Sequence, residues 1–328
     1  MTQIQKNALY HLLRLNSMKD PSLKVQPWQV EDYRKFSLEE LFSRLSKLGI
    51  QLNRSSFATH ADECDSPEEL VEVLSKDEEV TSEEEDKIYL LSFELWRRVM
   101  ADKPSLSIFC NELDHQIQLY DEGNDEYAQA LQDAIENFFK ILDENVDEGL
   151  EPAEALELVS AYCANDIRSF IYDYMQDLID DNNESYAKDI LEESRTYLKD
   201  DKWFKLLDAR LSIKWPPEVV HEYLERIIED HIEENDLIFN FDLLDLIITV
   251  GPHGLFYKVI AATAPLLKSE EDFQDLLSIC LDYFLRIDQN VNEKSVQNIL
   301  DKRSYIVLDA PINAQDKDIA ALLAIVSK

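Results

Sequence analysis

The residues best spaced for chemistry are two Glu-x-x-His tetrads, Glu112-Leu113-Asp114-His115 and Glu218-Val219-Val220-His221. Residues three apart on a helix share a face, so each tetrad can aim a carboxylate and an imidazole at one ion. Two such tetrads form the helical half of a di-iron carboxylate centre, provided the ligands face a bundle core. His221 shares its face with Glu222, Glu225 and Glu229, opposite Val220, Leu224, Ile227 and His231, which is the solvent side. Glu112 and His115 remain as the carboxylate and imidazole candidates. No metal centre is expected of either tetrad.

A second constellation runs from Asp143 to Glu154, DENVDEGLEPAE. Asp143, Asn145 and Asp147 take positions 1, 3 and 5 of a calcium-binding loop, and Glu154 takes position 12. The segment resembles an EF-hand loop in those ligands but carries Glu148 where the sharp turn needs Gly, with Gly149 one place late. Its nearest echo, Asp288-Gln289-Asn290-Val291-Asn292, has Ile299 where the last acid belongs. The expectation is an acidic interhelical turn with at most weak calcium binding.

Other chemical groupings are thinner. His60 lies near Asp62, Glu63, Cys64 and Asp65, but neighbours in a loop rarely converge on one centre. His253 reads as a turn residue and His231 as a hydrogen-bonded core residue. Of the tryptophans, Trp28, Trp96, Trp203 and Trp215, the last precedes a double proline at a helix start. Trp203 and Trp215 are the candidates for a partner-binding groove. Phosphate-cradling GxGxxG and GxxxxGK[ST] loops and the GxSxG elbow are absent, which argues against the enzymes built on them. No cofactor is expected.

Helices must position whatever the chain uses. Only five glycines occur, too few for a hairpin-rich fold. Apolar residues recur at helical spacing from end to end. Helices are predicted over 2–17, from Ser37 to Gly49, from Ser66, and near 83–101, 105–121, 124–142, 152–163, 165–180, 184–199, 201–213, 217–234, 236–250, 254–268, 270–287 and 292–302. Residues 53–65 read as irregular. In 165–180, Ile167, Phe170, Ile171, Tyr174 and Leu178 form one apolar stripe and Tyr172, Met175 and Ile179 a second. In 124–142 the stripe is Tyr127, Leu131, Ala134, Phe138 and Ile141, beside Ile135 and Leu142. Helices apolar on two sides are packed between neighbours. The fold expected is all-α, an irregular α-solenoid or a large multi-helix bundle of stacked antiparallel hairpins. The organisation expected is an N-terminal helical segment (1–76), an acidic linker (77–86), a main helical array (87–303) and a C-terminal extended segment with a last helix (304–328). Tyr305-Ile306-Val307-Leu308 is either a short strand or a linker.

Charge bounds the partners. Sixty-eight acidic residues face 32 basic ones, a formal net charge of −36. Such a surface repels phosphate backbones and anionic lipid and attracts basic proteins. Leu246 to Leu267 is apolar, but Gly251-Pro252-His253-Gly254 interrupts it, so two buried helices are expected rather than a membrane span. The N-terminal stretch, with His11 and Arg14 in it, does not read as a signal peptide. Cys64, Cys110, Cys163 and Cys280 form no CxxC pair, which suits buried thiols in a reducing cytoplasm. These observations lead to a non-catalytic, acidic helical interaction module, a scaffold, adaptor or chaperone-like protein, that binds a basic protein and neither nucleic acid nor membrane. A nucleic-acid mimic and a helical carboxylate-metal enzyme are the alternatives.

Overall fold

The computed structural model describes residues 4–76, 80–123, 128–198, 201–313 and 315–327. The described chain is 76% helix and has no strand, so the fold is all-α, in keeping with a multi-helix bundle or solenoid. Its sole β-like feature among these residues is an isolated bridge between Ser269 and Pro311. Two compact units divide the chain, Met1–Ile171 and Tyr172–Lys328.

The first unit holds α1 (Lys6–Lys19), α2 (Pro27–Val30), a 3-10 turn (Tyr33–Lys35), α3 (Leu38–Lys47), α4 (Arg54–Asp62), α5 (Pro67–Ser75), α6 (Ser82–Val99), α7 (Leu106–Asp121), α8 (Ala128–Asp147), α9 (Pro152–Ser160) and the start of α10 (Ile167–Asp180). Side-chain caps set many of the starts. The Ser37 hydroxyl accepts from the Glu40 amide, while the Glu40 carboxylate turns to Arg44 instead of back to the Ser37 amide, so the reciprocal half of a capping box does not form. Gly49, at φ +92°, ends α3, a conformation in which a β-carbon is costly. Thr81 and Glu84 cap α6 reciprocally. Of the acidic run before it, residues 77–79 lie outside the described residues. The stretch 53–65 is not irregular. Asn53 and Ser56 cap each other's backbone, and α4 pays for its Ser- and Thr-rich sequence by burying Phe57 and Ala61.

The core of this unit gathers Leu41, Leu45, Phe57, Leu70, Ile88, Leu95 and Trp96. Trp96 is fully buried and its indole N–H donates to the Lys103 carbonyl. The neighbouring arginines are spent internally. Arg97 and Arg98 both grip the buried Glu94 carboxylate, and Arg98 also donates to the carbonyls of Phe36 and Arg34. On α8 the expected stripe is buried at Leu131, Ile135, Phe138 and Leu142, whereas Tyr127 lies outside the described residues.

The second unit takes most of α10, followed by α11 (Glu184–Leu198), α12 (Lys202–Leu211), α13 (Pro217–His231), a 3-10 turn (Ile232–Glu234), α14 (Leu237–Val250), α15 (His253–Thr263), a further 3-10 turn (Ala264–Leu266), α16 (Glu270–Arg286), α17 (Asn290–Arg303) and α18 (Lys317–Val326). The apolar stretch 246–267 is two helices broken at Gly251 and Pro252, as expected, and no described helix is long and apolar enough to cross a membrane. Phe239, Leu243, Ile247, Phe256, Val259, Phe273, Cys280 and Phe284 fill the core. Tyr305 to Leu308 is no strand. It is an exposed connection whose Leu308 and Ala310 carbonyls accept from the first amides of α16. A buried ion pair, Arg303 with Glu270, ties α17 to α16, and the same guanidinium reaches Asp316 and Asp318 at the start of α18.

Candidate functional site

Glu112 and His115 both lie on α7, but the carboxylate is already answered. Its Oε1 is 3.0 Å from Arg34 and 3.4 Å from Arg97. Burial first, and then the Arg34 cation, hold the His115 pKa below the usual imidazole range. The second tetrad does not converge either. Glu218 is exposed, whereas His221 is turned inward, its Nε2 2.8 Å from the Val250 carbonyl at the end of α14. His221 is therefore off the solvent face assigned to it from spacing, because the last carbonyls of a helix need donors. Among the described residues, no group of three or more His, Cys, Asp and Glu side chains is placed to hold a metal ion.

The calcium-loop ligands are on a helix. The turn expected to begin at Asp143 begins at Glu148, because α8 continues to Asp147. Asp143 and Asp147 stand four residues apart on its exposed side, and Asn145 donates to the Ile141 carbonyl one turn back. Gly149, at φ +109°, makes the bend, one residue after the place a calcium loop needs it. Glu154 belongs to the first turn of α9, where its carboxylate accepts from the Glu151 amide. Helical backbone spreads these oxygens along an axis instead of wrapping them round a point. Beside His60, the Cys64 thiol donates to the His60 carbonyl rather than meeting the ring, and burial raises its pKa, opposite to what a nucleophile requires.

The two tryptophan candidates have different surroundings. Trp203 packs edge-on between Tyr172 and Phe239, each ring centroid 5.3 Å away, half-buried against the core. Trp215 is 52% exposed just before α13, close to the exposed Val219.

Next to Trp215 the outer side of α13 carries a regular line of acids. Glu218, Glu222, Glu225 and Glu229 are all exposed, at intervals of four, three and four residues. Those intervals keep them on one line along the helix. Arg226 pairs with Glu222, and no ion pair among the described residues answers the other three. Behind them Val220, Leu224, Ile227 and Ile228 are buried. The ridge was legible in the spacing of acids opposite an apolar stripe. The sequence reading placed Glu222, Glu225 and Glu229 on the solvent side, and the structure adds Glu218 to that line and turns His221 off it.

Comparison of the chain with protein-family models, with curated proteins and with solved structures finds no match.

Proposed function

We propose that this chain is a non-catalytic helical interaction module, a scaffold, adaptor or chaperone-like protein, that binds a basic protein partner in the cytoplasm. The observation that supports the reading best is the α13 ridge, four exposed carboxylates in line with one arginine among them. Carboxylates held at fixed helical intervals on a packed helix meet a lysine- or arginine-bearing surface without further ordering of the backbone. Complementary charge of this kind acts mainly on association rate and partner choice. The exposed Trp215 and Val219 add an apolar contact at one end of the ridge, and aromatic anchors supply much of the affinity at interfaces. Five of the chain's own arginines, Arg34, Arg44, Arg97, Arg98 and Arg303, bind carboxylates within the fold and so do not compete for the acids of α13.

The test is capture of partners from cytoplasm on the immobilised chain, followed by measured affinity for the partner identified. Raising salt from about 0.05 to 0.5 M should weaken binding at least tenfold, because exposed charges are screened within a few ångströms. Replacing Glu218, Glu222, Glu225 and Glu229 together by Gln should weaken it similarly. Affinity unchanged in both experiments would overturn the reading. The same line of negative charge favours one second reading, a mimic of a phosphate backbone. In that case the partner is a nucleic-acid-binding protein, and duplex DNA or RNA competes for it.

A further inference from the structure

In the first unit, one face of α1 lines an open pocket of about 80 Å³, and each of three side chains on that face has one buried polar atom without a hydrogen-bond partner in the protein. Asn7, His11 and Arg14 stand four and three residues apart, so they share that face. A volume of that size is several times the roughly 10–15 Å³ that one water needs.

The protonation of His11 follows from its neighbours. Arg34 donates from Nη2 to the Asn111 side-chain oxygen at 2.7 Å. That fixes the Asn111 amide with its nitrogen toward His11, 3.4 Å from Nδ1. An amide nitrogen only donates, so Nδ1 accepts, and the ring proton sits on Nε2. Asp114 does not compete for the ring. It is 3.8 Å from Nδ1, and its oxygens accept from the Ala164 and Asn165 amides and from the Asn165 side chain. Burial, and then the Arg14 and Arg34 cations, push the His11 pKa down to about 4, so the imidazole is neutral. Its Nε2–H is a buried donor without an acceptor.

Arg14 repeats the pattern. Nη1 is 3.1 Å from Asp32 and Nη2 donates to Gln118, but Nε–H is buried and unmet. Asn7 supplies the converse. Its amide nitrogen donates to the carbonyls of Ser107 and Tyr162, which leaves its side-chain oxygen as a buried acceptor with no donor. The carboxylates around the same cavity are each ion-paired with arginine: Asp32 with Arg14, Glu31 with Arg44, and Glu94 with Arg97 and Arg98. The unmet groups are therefore two donors, His11 Nε2–H and Arg14 Nε–H, and two acceptors, the Asn7 side-chain oxygen one turn from His11 and Asp32 Oδ1, which is ion-paired to Arg14 but has no hydrogen bond.

We propose that this cavity binds a small hydroxy- or amino-carboxylate. Its carboxylate accepts from His11 Nε2–H and Arg14 Nε–H, and its hydroxyl or ammonium donates to the Asn7 side-chain oxygen. A bare anion would leave Asn7 unmet. A neutral alcohol would forgo the two guanidiniums.

Calorimetry on the full chain tests this, with lactate and glycine as probes, acetate as the acid lacking a donor, and inorganic phosphate as an anion of another shape. Lactate or glycine should bind saturably at about 1 mM or tighter. Acetate and phosphate should bind at least about tenfold more weakly, the usual cost of an unmet buried group. His11→Ala and Arg14→Lys should each weaken the favoured probe about tenfold or more. Arg14→Lys keeps the charge and the helix, so it remains informative where His11→Ala fails to fold. Binding should also shift the His11 Nε2–H resonance in a proton–nitrogen spectrum. Absence of saturable binding would overturn the proposal and leave the cavity to water. So would acetate or phosphate binding as tightly as lactate and glycine, or an affinity unmoved by Arg14→Lys.

Discussion

Replacing Arg303 by Met should destabilise the second unit by about 3–5 kcal/mol, the range found when one partner of a buried ion pair is removed. The value follows from what the substitution strands. Glu270 is the first residue of α16, its side chain only 2% exposed, and it receives both Nε and Nη2 of Arg303. Methionine fills the aliphatic space but leaves that carboxylate buried, with Gln274 as its remaining side-chain donor. The other two carboxylates matter less. Asp316 and Asp318 are 25% and 21% exposed and fall back on water, so each adds no more than about 1 kcal/mol. Loss of the guanidinium 4.9 Å from the Phe273 ring centroid adds about as much again. Urea unfolding gives the total, and hydrogen exchange of peptides from α16, α17 and α18 shows that the loss is local. The double variant Arg303→Met with Glu270→Met removes the stranded charge and should recover most of the stability. A single variant costing under about 1 kcal/mol, or a double variant no better than the single, would refute the account, because the penalty is assigned to an uncompensated buried charge.

Further outcomes follow from other sites. Asn240 is fully buried on α14 with neither amide atom bonded, so Asn240→Leu should raise the urea midpoint, by about 1–2 kcal/mol of stability. Thr81→Ala removes the hydroxyl that accepts from the Glu84 amide and should cost about 1 kcal/mol, seen as faster exchange in the first turn of α6. Calorimetry with calcium should show nothing tighter than about millimolar, and a micromolar site lost in Glu154→Gln would overturn the helical placement of Asp143, Asn145 and Asp147. Burial raises the Asp114 pKa to about 6, so its share of stability is present below about pH 4 and is lost as pH rises through 6. His11, with its pKa lowered to about 4, works oppositely and loses its share as pH falls from 6.5 through 4. Asp114→Asn should therefore make stability rise with pH between about 4 and 6 more steeply than in the parent, by at most about 1.4 kcal/mol per pH unit. Equal slopes in urea midpoints across that window would contradict the assignment.

Periodicity made the all-α fold legible because burial on a helix repeats every three to four residues whatever the neighbours are. Ile167, Ile171, Tyr174 and Leu178 were recognisable as one stripe and are buried. Residues 53–65 were not legible, since α4 is held by a local cap and two buried residues rather than by a repeating stripe. The end of α8 was missed for a related reason. Asp143 to Asp147 is a sequence that suits turns, yet the α8 backbone carries through it, with Ile141 and Asn145 bonded across one turn, until Gly149 offers a positive φ. Spacing alone could say that Glu112 and His115 share a face. It could not say that Arg34, 78 residues earlier, occupies that carboxylate. The cavity beside α1 was hidden more deeply, because unmet bonding capacity is a property of three-dimensional neighbours and has no signature in a single helix.

The charge imbalance and the internal arginines are two sides of one arrangement. Glu94, Glu112 and Glu270 are each neutralised by a guanidinium that also donates elsewhere in the fold. A planar donor fork can satisfy several acceptors at once, which a lysine point charge cannot. Each such pair is close to neutral, so the net charge of −36 falls to the rest of the chain, the acids of α13 included. Neutralising surface glutamates should change association with a basic partner while leaving stability nearly untouched. Neutralising Glu94 or Glu270 should do the reverse, lowering stability severely and affecting association only through the fraction of chain that remains folded. Measuring both quantities on the same variants separates the two populations of acid, and a surface Glu→Gln set that unfolded the protein would show that the division drawn between them is false.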